Sequence, residues 1–352
     1  MTAPAPAGRF RVALTADFYA ADGSPRYRDL GLGVFAGHPH VEHRAFAEHL
    51  PVITREQVGD AQGVIVLTPA VTADTVSKSH DLLAVGRFGV GYDAVDVAAC
   101  TAADVVAFIT AGAVDRSVAE ATLAWMLALT HHVRAKDALV RTGRWNERSQ
   151  YMGSELRDRT LGVIGLGGIG RALIGLVAGF GMNTPLAHDP YADVQAAERL
   201  GIRLVSLEEL MAAADFVSVH CPLTEQTRGL VGARELAFMK AGAYLINTAR
   251  GGIVDEDALY DALKGRRIAG AAVDVFAAEP VIQPHRFGEL DNVLLAPHSI
   301  AWTNEMFRDI GRAVCQGMVD LSLGHRPRGV LNPEVFDRPG FRRKWERLRA
   351  GS

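Results

Sequence analysis

Short apolar runs alternate with longer amphipathic stretches along most of the chain. Phe10 to Thr15, Gly63 to Leu67, Leu82 to Val85 and Val105 to Ile109 read as buried strands, with a polar loop from Asp17 to Asp29 after the first. A second set lies at Leu161 to Ile164, Asn183 to His188, Phe216 to His220, Tyr244 to Asn247, Gly270 to Val275 and Val293 to Ala296. Helical stretches separate them, among them Arg171 to Phe180, Leu207 to Ala213 and Asp255 to Leu263. Strands alternating with helices predict parallel sheets covered by helices. Val118 to Val133 is apolar on more than one face, with Ser117 as its expected N-cap and Glu120 three residues later. It predicts a helix buried in a core or an interface. Arg134 to Arg159 is polar, carries Trp145 and Tyr151, and reads as a connecting arm. Thr303 to Leu323 reads as a long last helix closed by Gly324.

One junction in this pattern is chemically distinctive. The strand at Leu161 runs into Gly165-Leu166-Gly167-Gly168-Ile169-Gly170, which opens the helical stretch from Arg171. Asp189 closes the next apolar segment. Strand, glycine turn, helix, strand and acidic residue, in that order, are the parts of a dinucleotide-binding unit. The first glycine permits the tight turn, the second lets backbone approach a pyrophosphate, and the third lets helix and strand pack closely. Free N–H groups and the positive dipole end of the helix favour the phosphates. The turn lies near the middle of the chain, so the residues before it suffice for a domain of their own. The returning C-terminus completes that domain, which is expected to face the nucleotide unit across a cleft.

Composition narrows the class without naming it. The 352 residues suffice for two domains, and a net charge of −3 points to neither nucleic acid nor an anionic membrane. Met1 to Gly8 is rich in Ala and Pro and reads as a short disordered lead, not a signal peptide. No apolar run is long enough to span a bilayer. Cys100, Cys221 and Cys315 are far apart and lack metal-ligand spacing, so no metal is expected and a reducing cytoplasm fits them best. Cys221 beside His220 is a poor nucleophilic pair, because neighbours on a strand point to opposite faces.

Reactive groups for a bound dinucleotide belong at strand ends facing the crevice. Three strand ends carry candidates. Arg250 follows the strand at Tyr244, Asp274 lies at the end of the strand at Gly270 with Glu279 past it, and His298 follows the strand at Val293. An arginine grips a carboxylate with two parallel hydrogen bonds. A histidine takes or gives a proton near neutral pH, and a glutamate beside it holds its tautomer and favours its charged form.

At these residues the chain resembles the D-isomer-specific 2-hydroxyacid dehydrogenases, the family that includes 3-phosphoglycerate dehydrogenase and glyoxylate/hydroxypyruvate reductase. The stretches are FGVGYDAVDV from Phe88, SVAEATLAWMLAL from Ser117, TLGVIGLGGIGRAL from Thr160, VSVHCPLTEQTRGLVG from Val217 and MKAGAYLINTARGGIVDEDALYDAL from Met239. AGAAVDVFAAEP from Ala269 and LLAPHSIAWT from Leu294 continue it. The resemblance implies an α/β fold of two Rossmann-like, doubly wound parallel-sheet domains separated by a cleft. The NAD-binding domain, 116–299, would be inserted in a substrate domain of 9–115 plus 300–335, with 336–352 as a basic tail. Counted from Arg338, that tail carries six basic residues and one acid and reads as a solvated helix.

Site roles follow from the same resemblance. His298 is expected to be the acid/base, Glu279 its partner, and Arg250 the substrate-binding, carbonyl-polarising arginine. The N–H groups of Val90 and Gly91 would cradle the substrate carboxylate. Gly167, Gly168, Ile169 and Arg171 would meet the pyrophosphate, with Gly165 and Gly170 shaping the same cofactor-binding turn, and Asp189 would meet a ribose hydroxyl. His220, Pro222, Thr227 and Thr248 would line the cofactor side, and Asp274 would meet the nicotinamide carboxamide. Asp189 would repel a 2′-phosphate, and Pro190 to Arg199 offers one arginine, at its far end, so NAD is the expected cofactor. The implied reaction interconverts a D-2-hydroxy acid and its 2-keto acid, in a cytoplasmic homodimer joined through helix 118–133 and the arm.

The chain departs from the family pattern in places. Ser299-Ile300-Ala301-Trp302 follows His298 where small residues are common, so Trp302 either walls the substrate pocket or starts the last helix as packing. Thr110-Ala111-Gly112 stands where Asn-Pro-Gly is usual, and the first 60 residues match loosely. The formate dehydrogenase branch has glutamine at the position of Glu279, which argues against it. A nucleotide-sensing scaffold or corepressor of the same fold is the alternative from another class.

Overall fold

The computed structural model describes residues 8–77 and 79–350. Residues 1–7 of the expected N-terminal lead lie outside them. The chain divides into two compact units, one of residues up to Val114 together with the stretch from Trp302, the other Asp115–Ala301.

The first unit begins with β1 (Phe10–Leu14), β2 (Val41–Ala45), β3 (Gly63–Val66), β4 (Ala84–Arg87) and β5 (Val106–Ile109). Short helices α1 (Arg55–Val58), α2 (Ala73–Val76) and α3 (Val97–Ala102) connect them. The five strands form one parallel sheet in the order β2-β1-β3-β4-β5. Strand β2 has no counterpart in the apolar pattern. It is an edge strand, VEHRA, of which only Val41 is buried.

The second unit holds α4 (Asp115–Thr130), α5 (Val133–Arg141), β6 (Leu161–Ile164), α6 (Gly168–Val177), β7 (Leu186–His188), α7 (Val194–Arg199), β8 (Arg203–Leu204) and α8 (Leu207–Ala213). It continues through β9 (Phe216–Val219), α9 (Ala233–Phe238), β10 (Tyr244–Asn247), α10 (Glu256–Lys264), β11 (Gly270–Val273) and β12 (Val293–Leu295). Its seven parallel strands run β12-β11-β10-β9-β6-β7-β8. Alternate residues of the central strands enter two cores. Leu161, Val163, Phe216 and Ile246 pack with Trp125 and Met126 of α4, while Val217, Val219 and Leu245 pack with Leu210 and Leu236 of α8 and α9. Burial on both faces is why these strands read as continuous apolar runs.

The helix expected at 118–133 differs in its bounds. It starts at Asp115, ahead of Ser117, and stops at Thr130. His132 then adopts φ 52°, and α5 runs through part of the stretch read as an arm. A left-handed residue cannot continue a right-handed helix.

The chain returns to the first unit through α11 (Asn304–Ser322), whose N-cap Thr303 accepts from the Met306 N–H at 3.0 Å. Val314 and Met318 of α11 lie against Gly86 of β4. Beyond it, Asn332 is sewn to β5, its Oδ1 accepting from Ala107 N and its Nδ2 donating to Val105 O, each at 2.9 Å. The basic stretch forms α12 (Pro339–Ala350) and is not simply solvated. Phe341 is fully buried, Trp345 Nε1 donates to Leu321 O at 2.7 Å, and Lys344 Nζ donates to Ala103 O at 2.8 Å. The apolar residues share one face at i, i+4 spacing, while the arginines occupy the others.

Among the described residues no helix is long and apolar enough to cross a membrane, and no cluster of His, Cys, Asp and Glu could hold a metal ion.

Candidate active site

The dinucleotide unit is wound outward from β6 in both directions. The chain runs through β7 to β8 on one side, then returns beside β6 as β9 and proceeds to β12. Between β6 and β9 the direction reverses, and ligands of open parallel sheets bind beyond the carboxyl ends at such a point. Here the two strand ends nearly touch. Gly165 has φ 98°, and a Cβ there would lie 2.7 Å from the Cys221 nitrogen. A Cβ on Gly170 would lie 2.5 Å from the Gly165 carbonyl oxygen, so α6 packs directly on the turn. By contrast, nothing lies within 4 Å of a Cβ on Gly167, and the turn is open on that side. Arg171 N is the first N–H in this turn to take a helical carbonyl, that of Gly167, at 3.1 Å. The N–H groups ahead of it at the start of α6 are the orphan donors of a helix N-terminus. Open space, orphan donors and the dipole fit a dinucleotide's phosphates.

Asp189, just past β7, braces this turn. Its Oδ2 accepts from Leu166 N at 2.8 Å and its Oδ1 from Tyr191 N at 2.9 Å. Past β9, Thr227 Oγ1 donates to Pro222 O at 2.6 Å and accepts from Thr224 N at 2.7 Å, which closes the loop after His220. His220 Nε2 is 2.8 Å from Ser218 Oγ, while its Nδ1 is buried with no partner. Burial pushes its pKa down to about 4, so this imidazole is neutral. Burial also pushes the Cys221 thiol up to about 11, which removes it as a thiolate nucleophile. Thr248, past β10, has its Oγ1 3.5 Å from Thr122 Oγ1.

Strands β10, β11 and β12 end in register, Asn247 beside Val273 and Val273 beside Leu295. The residues that follow them are therefore neighbours. Asn247, the buried last residue of β10, holds the turn that carries Arg250. Its Nδ2 donates to Arg250 O and its Oδ1 accepts from Ala249 N, both at 3.1 Å. A Cβ on Gly251 would lie 1.9 Å from Phe276 O, so this turn is pressed against the segment after β11. That segment presents Glu279, whose Oε1 accepts from Phe276 N at 2.8 Å.

Glu279 Oε2 is 2.7 Å from His298 Nδ1. Burial works to raise the Glu279 carboxyl. The hydrogen bonds from His298 and the Phe276 N–H, with the charges of His298 and Arg250, outweigh it and hold the group below the usual carboxylate range. An ionised Glu279 accepts from Nδ1–H, which leaves Nε2 of His298 as the atom able to exchange a proton.

Asp274 has a role the sequence did not signal. It is 4% exposed and brackets the histidine loop. Its Oδ1 accepts from Ser299 N at 2.9 Å and from Ile300 N at 3.2 Å, and its carbonyl oxygen accepts from His298 N at 2.7 Å. His298 itself sits at φ 52°, a backbone strain this bracket sustains. Holding the histidine loop is a role beside the nicotinamide contact expected of Asp274 and does not replace it.

Arg250, Asp274, Glu279 and His298 thus come together within the second unit. Val90, Gly91 and Trp302 belong to the first. Val90 and Gly91 follow β4, and among the described residues neither N–H is taken by a backbone carbonyl. Trp302 meets Phe307 edge-on at 5.3 Å and Tyr27 at 5.9 Å, Tyr27 stacks on Phe307 at 4.1 Å, and half of Trp302 stays exposed.

A doubly wound sheet with a glycine cradle and a carboxylate–histidine pair at its strand ends defines a dinucleotide-dependent class. Residues 123–299 match the model of the D-isomer specific 2-hydroxyacid dehydrogenase, NAD binding domain. A D-3-phosphoglycerate dehydrogenase of Archaeoglobus fulgidus is 38% identical over 262 residues, 74% of this chain and 49% of that protein. A glyoxylate reductase of Korarchaeum cryptofilum is 35% identical over 292 residues, 81% of this chain and 88% of that one. The solved structure of a glyoxylate reductase from Paecilomyes thermophila matches with a TM-score of 0.78 at 25% identity, covering 93% of this chain and 99% of that one. The chain belongs to the D-isomer specific 2-hydroxyacid dehydrogenase family. It spans about half the length of the D-3-phosphoglycerate dehydrogenases it matches.

Proposed function

We propose that the chain is an NAD-dependent oxidoreductase interconverting a D-2-hydroxy acid and its 2-keto acid. The observation that carries this reading is the Glu279–His298 pair, held by Asp274 beside Arg250 at the strand ends of a dinucleotide-binding sheet. Nicotinamide, when bound, supplies or accepts the hydride. The chain does the rest. His298 Nε2 takes the hydroxyl proton in oxidation and returns it to the carbonyl oxygen in reduction, while Glu279 keeps Nδ1 protonated and the ring aligned. Arg250 grips the substrate and stabilises negative charge as it develops on the carbonyl oxygen. Val90 and Gly91 offer N–H groups to the substrate carboxylate, and Trp302 meets the rest of the substrate. Gly167, Gly168, Ile169 and Arg171 hold the pyrophosphate in the turn shaped by Gly165 and Gly170, and Asp189 holds the ribose. His220, Pro222, Thr227 and Thr248 line the cofactor.

The test is steady-state absorbance of NADH, and separately NADPH, against a panel of 2-keto acids. Turnover with at least one of them, at higher efficiency with NADH, is expected. No turnover across the panel would leave a binding protein of the same fold. Preference for NADPH would remove the role given to Asp189.

We further propose a cytoplasmic homodimer. Free thiols at Cys100, Cys221 and Cys315 fit a reducing compartment. Val133, Val140, Trp145 and Met152 expose large apolar side chains along α5 and the chain after it, which suits a second copy better than water. Sedimentation as a monomer at micromolar concentration would contradict the assembly.

A further inference from the structure

A carboxylate of the chain stands at the edge of the phosphate cradle. Asp115 is the first residue of α4, and its side chain reaches the first turn of α6. A Cβ on Gly168 would lie 1.9 Å from Asp115 Oδ2 and 2.5 Å from its Cγ. The Gly168 side of the turn is therefore occupied by an anion, while the Gly167 side is open. Arg171, one helical turn along α6, is the cation whose field acts on it. Burial raises the Asp115 carboxyl above the usual range, and Arg171 opposes that rise. The next charged residues on α4, Arg116 and Glu120, are exposed and paired with each other. A helix N-terminus and an arginine are what a phosphate seeks, and Asp115 presents its own negative charge to both.

We propose that Asp115 sets the affinity for the cofactor's pyrophosphate from the edge of the cradle, its negative charge opposing a phosphate bound at the N-terminal end of α6. The inference rests on the glycine turn being the pyrophosphate site. Two anions at one helix end repel in a partly dehydrated cradle, so the carboxylate weakens the hold on the cofactor and speeds its exchange.

The test measures binding, not turnover. NADH is titrated by fluorescence into the parent, Asp115→Asn and Asp115→Ala, with ADP-ribose and adenosine as competing ligands. Both variants should bind NADH and ADP-ribose on the order of tenfold more tightly than the parent. Adenosine, which carries no phosphate, should bind equally to all three. Asn preserves the shape of the side chain and Ala adds no amide donor. A gain confined to Asn would report a new amide–phosphate bond and overturn the proposal. So would unchanged or weaker NADH binding in both variants, or an equal gain for adenosine. Failure of the parent and both variants to bind NADH or ADP-ribose would instead overturn the pyrophosphate assignment itself.

Discussion

Asp274→Ala removes the bracket under the histidine loop and leaves the N–H groups of Ser299 and Ile300 without their acceptor. The His298 N–H keeps its bond, because that acceptor is the Asp274 backbone carbonyl. Each lost bond went to a carboxylate, a kind worth roughly 1.5–3 kcal/mol, and a buried N–H left unpaired costs about 1–3 kcal/mol. Water reaching the vacated site recovers part of this, and so does the removal of a buried carboxylate whose burial raises its pKa. A net loss of about 2–3 kcal/mol follows. Asp274→Asn keeps an acceptor at Oδ1 and should lose about 1 kcal/mol. Activity should fall further than stability. His298 is held at φ 52° by this loop, and a displacement of about 1 Å in a reacting group can cost on the order of 10²-fold. Urea unfolding and kcat should therefore both rank parent above Asn above Ala. NADH affinity, measured by fluorescence, should change little. Full stability and full kcat in Asp274→Ala would refute the bracket. A weakened NADH affinity with kcat intact would make the nicotinamide contact the main role of Asp274.

His298→Ala should lower kcat by about 10²–10⁴-fold while leaving NADH binding nearly unchanged, and a near-normal kcat would remove the mechanism. Glu279→Gln removes the carboxylate that orients His298 through Nδ1, so kcat should fall while NADH binding is kept. An unchanged kcat would dissolve the pair. His220 takes up its proton at about 4 when folded, against an ordinary 6.5. Between those values the unfolded chain holds more protons, so stability is lost as pH falls through that window, by about 3 kcal/mol in all. His220→Gln should flatten that part of a urea-unfolding pH series, and equal slopes in parent and variant would show that His220 titrates normally.

The apolar runs alone determined the parallel α/β class, most of the strands and the place of the glycine turn. Burial on both sheet faces and turn chemistry are local and leave a direct mark on residue order. Arg250, Glu279 and His298 were visible for a related reason, since each follows a strand whose carboxyl end is fixed by the sheet. Strand β2 escaped because an edge strand buries little, and the break at His132 because nothing in its side chain demands a left-handed backbone. The sequence could show that Asp274 and Asp115 were acidic residues near the right elements. Only the tertiary structure decided that one holds the histidine loop and the other lies against Gly168. Those contacts join segments distant along the chain, and only packing brings them together.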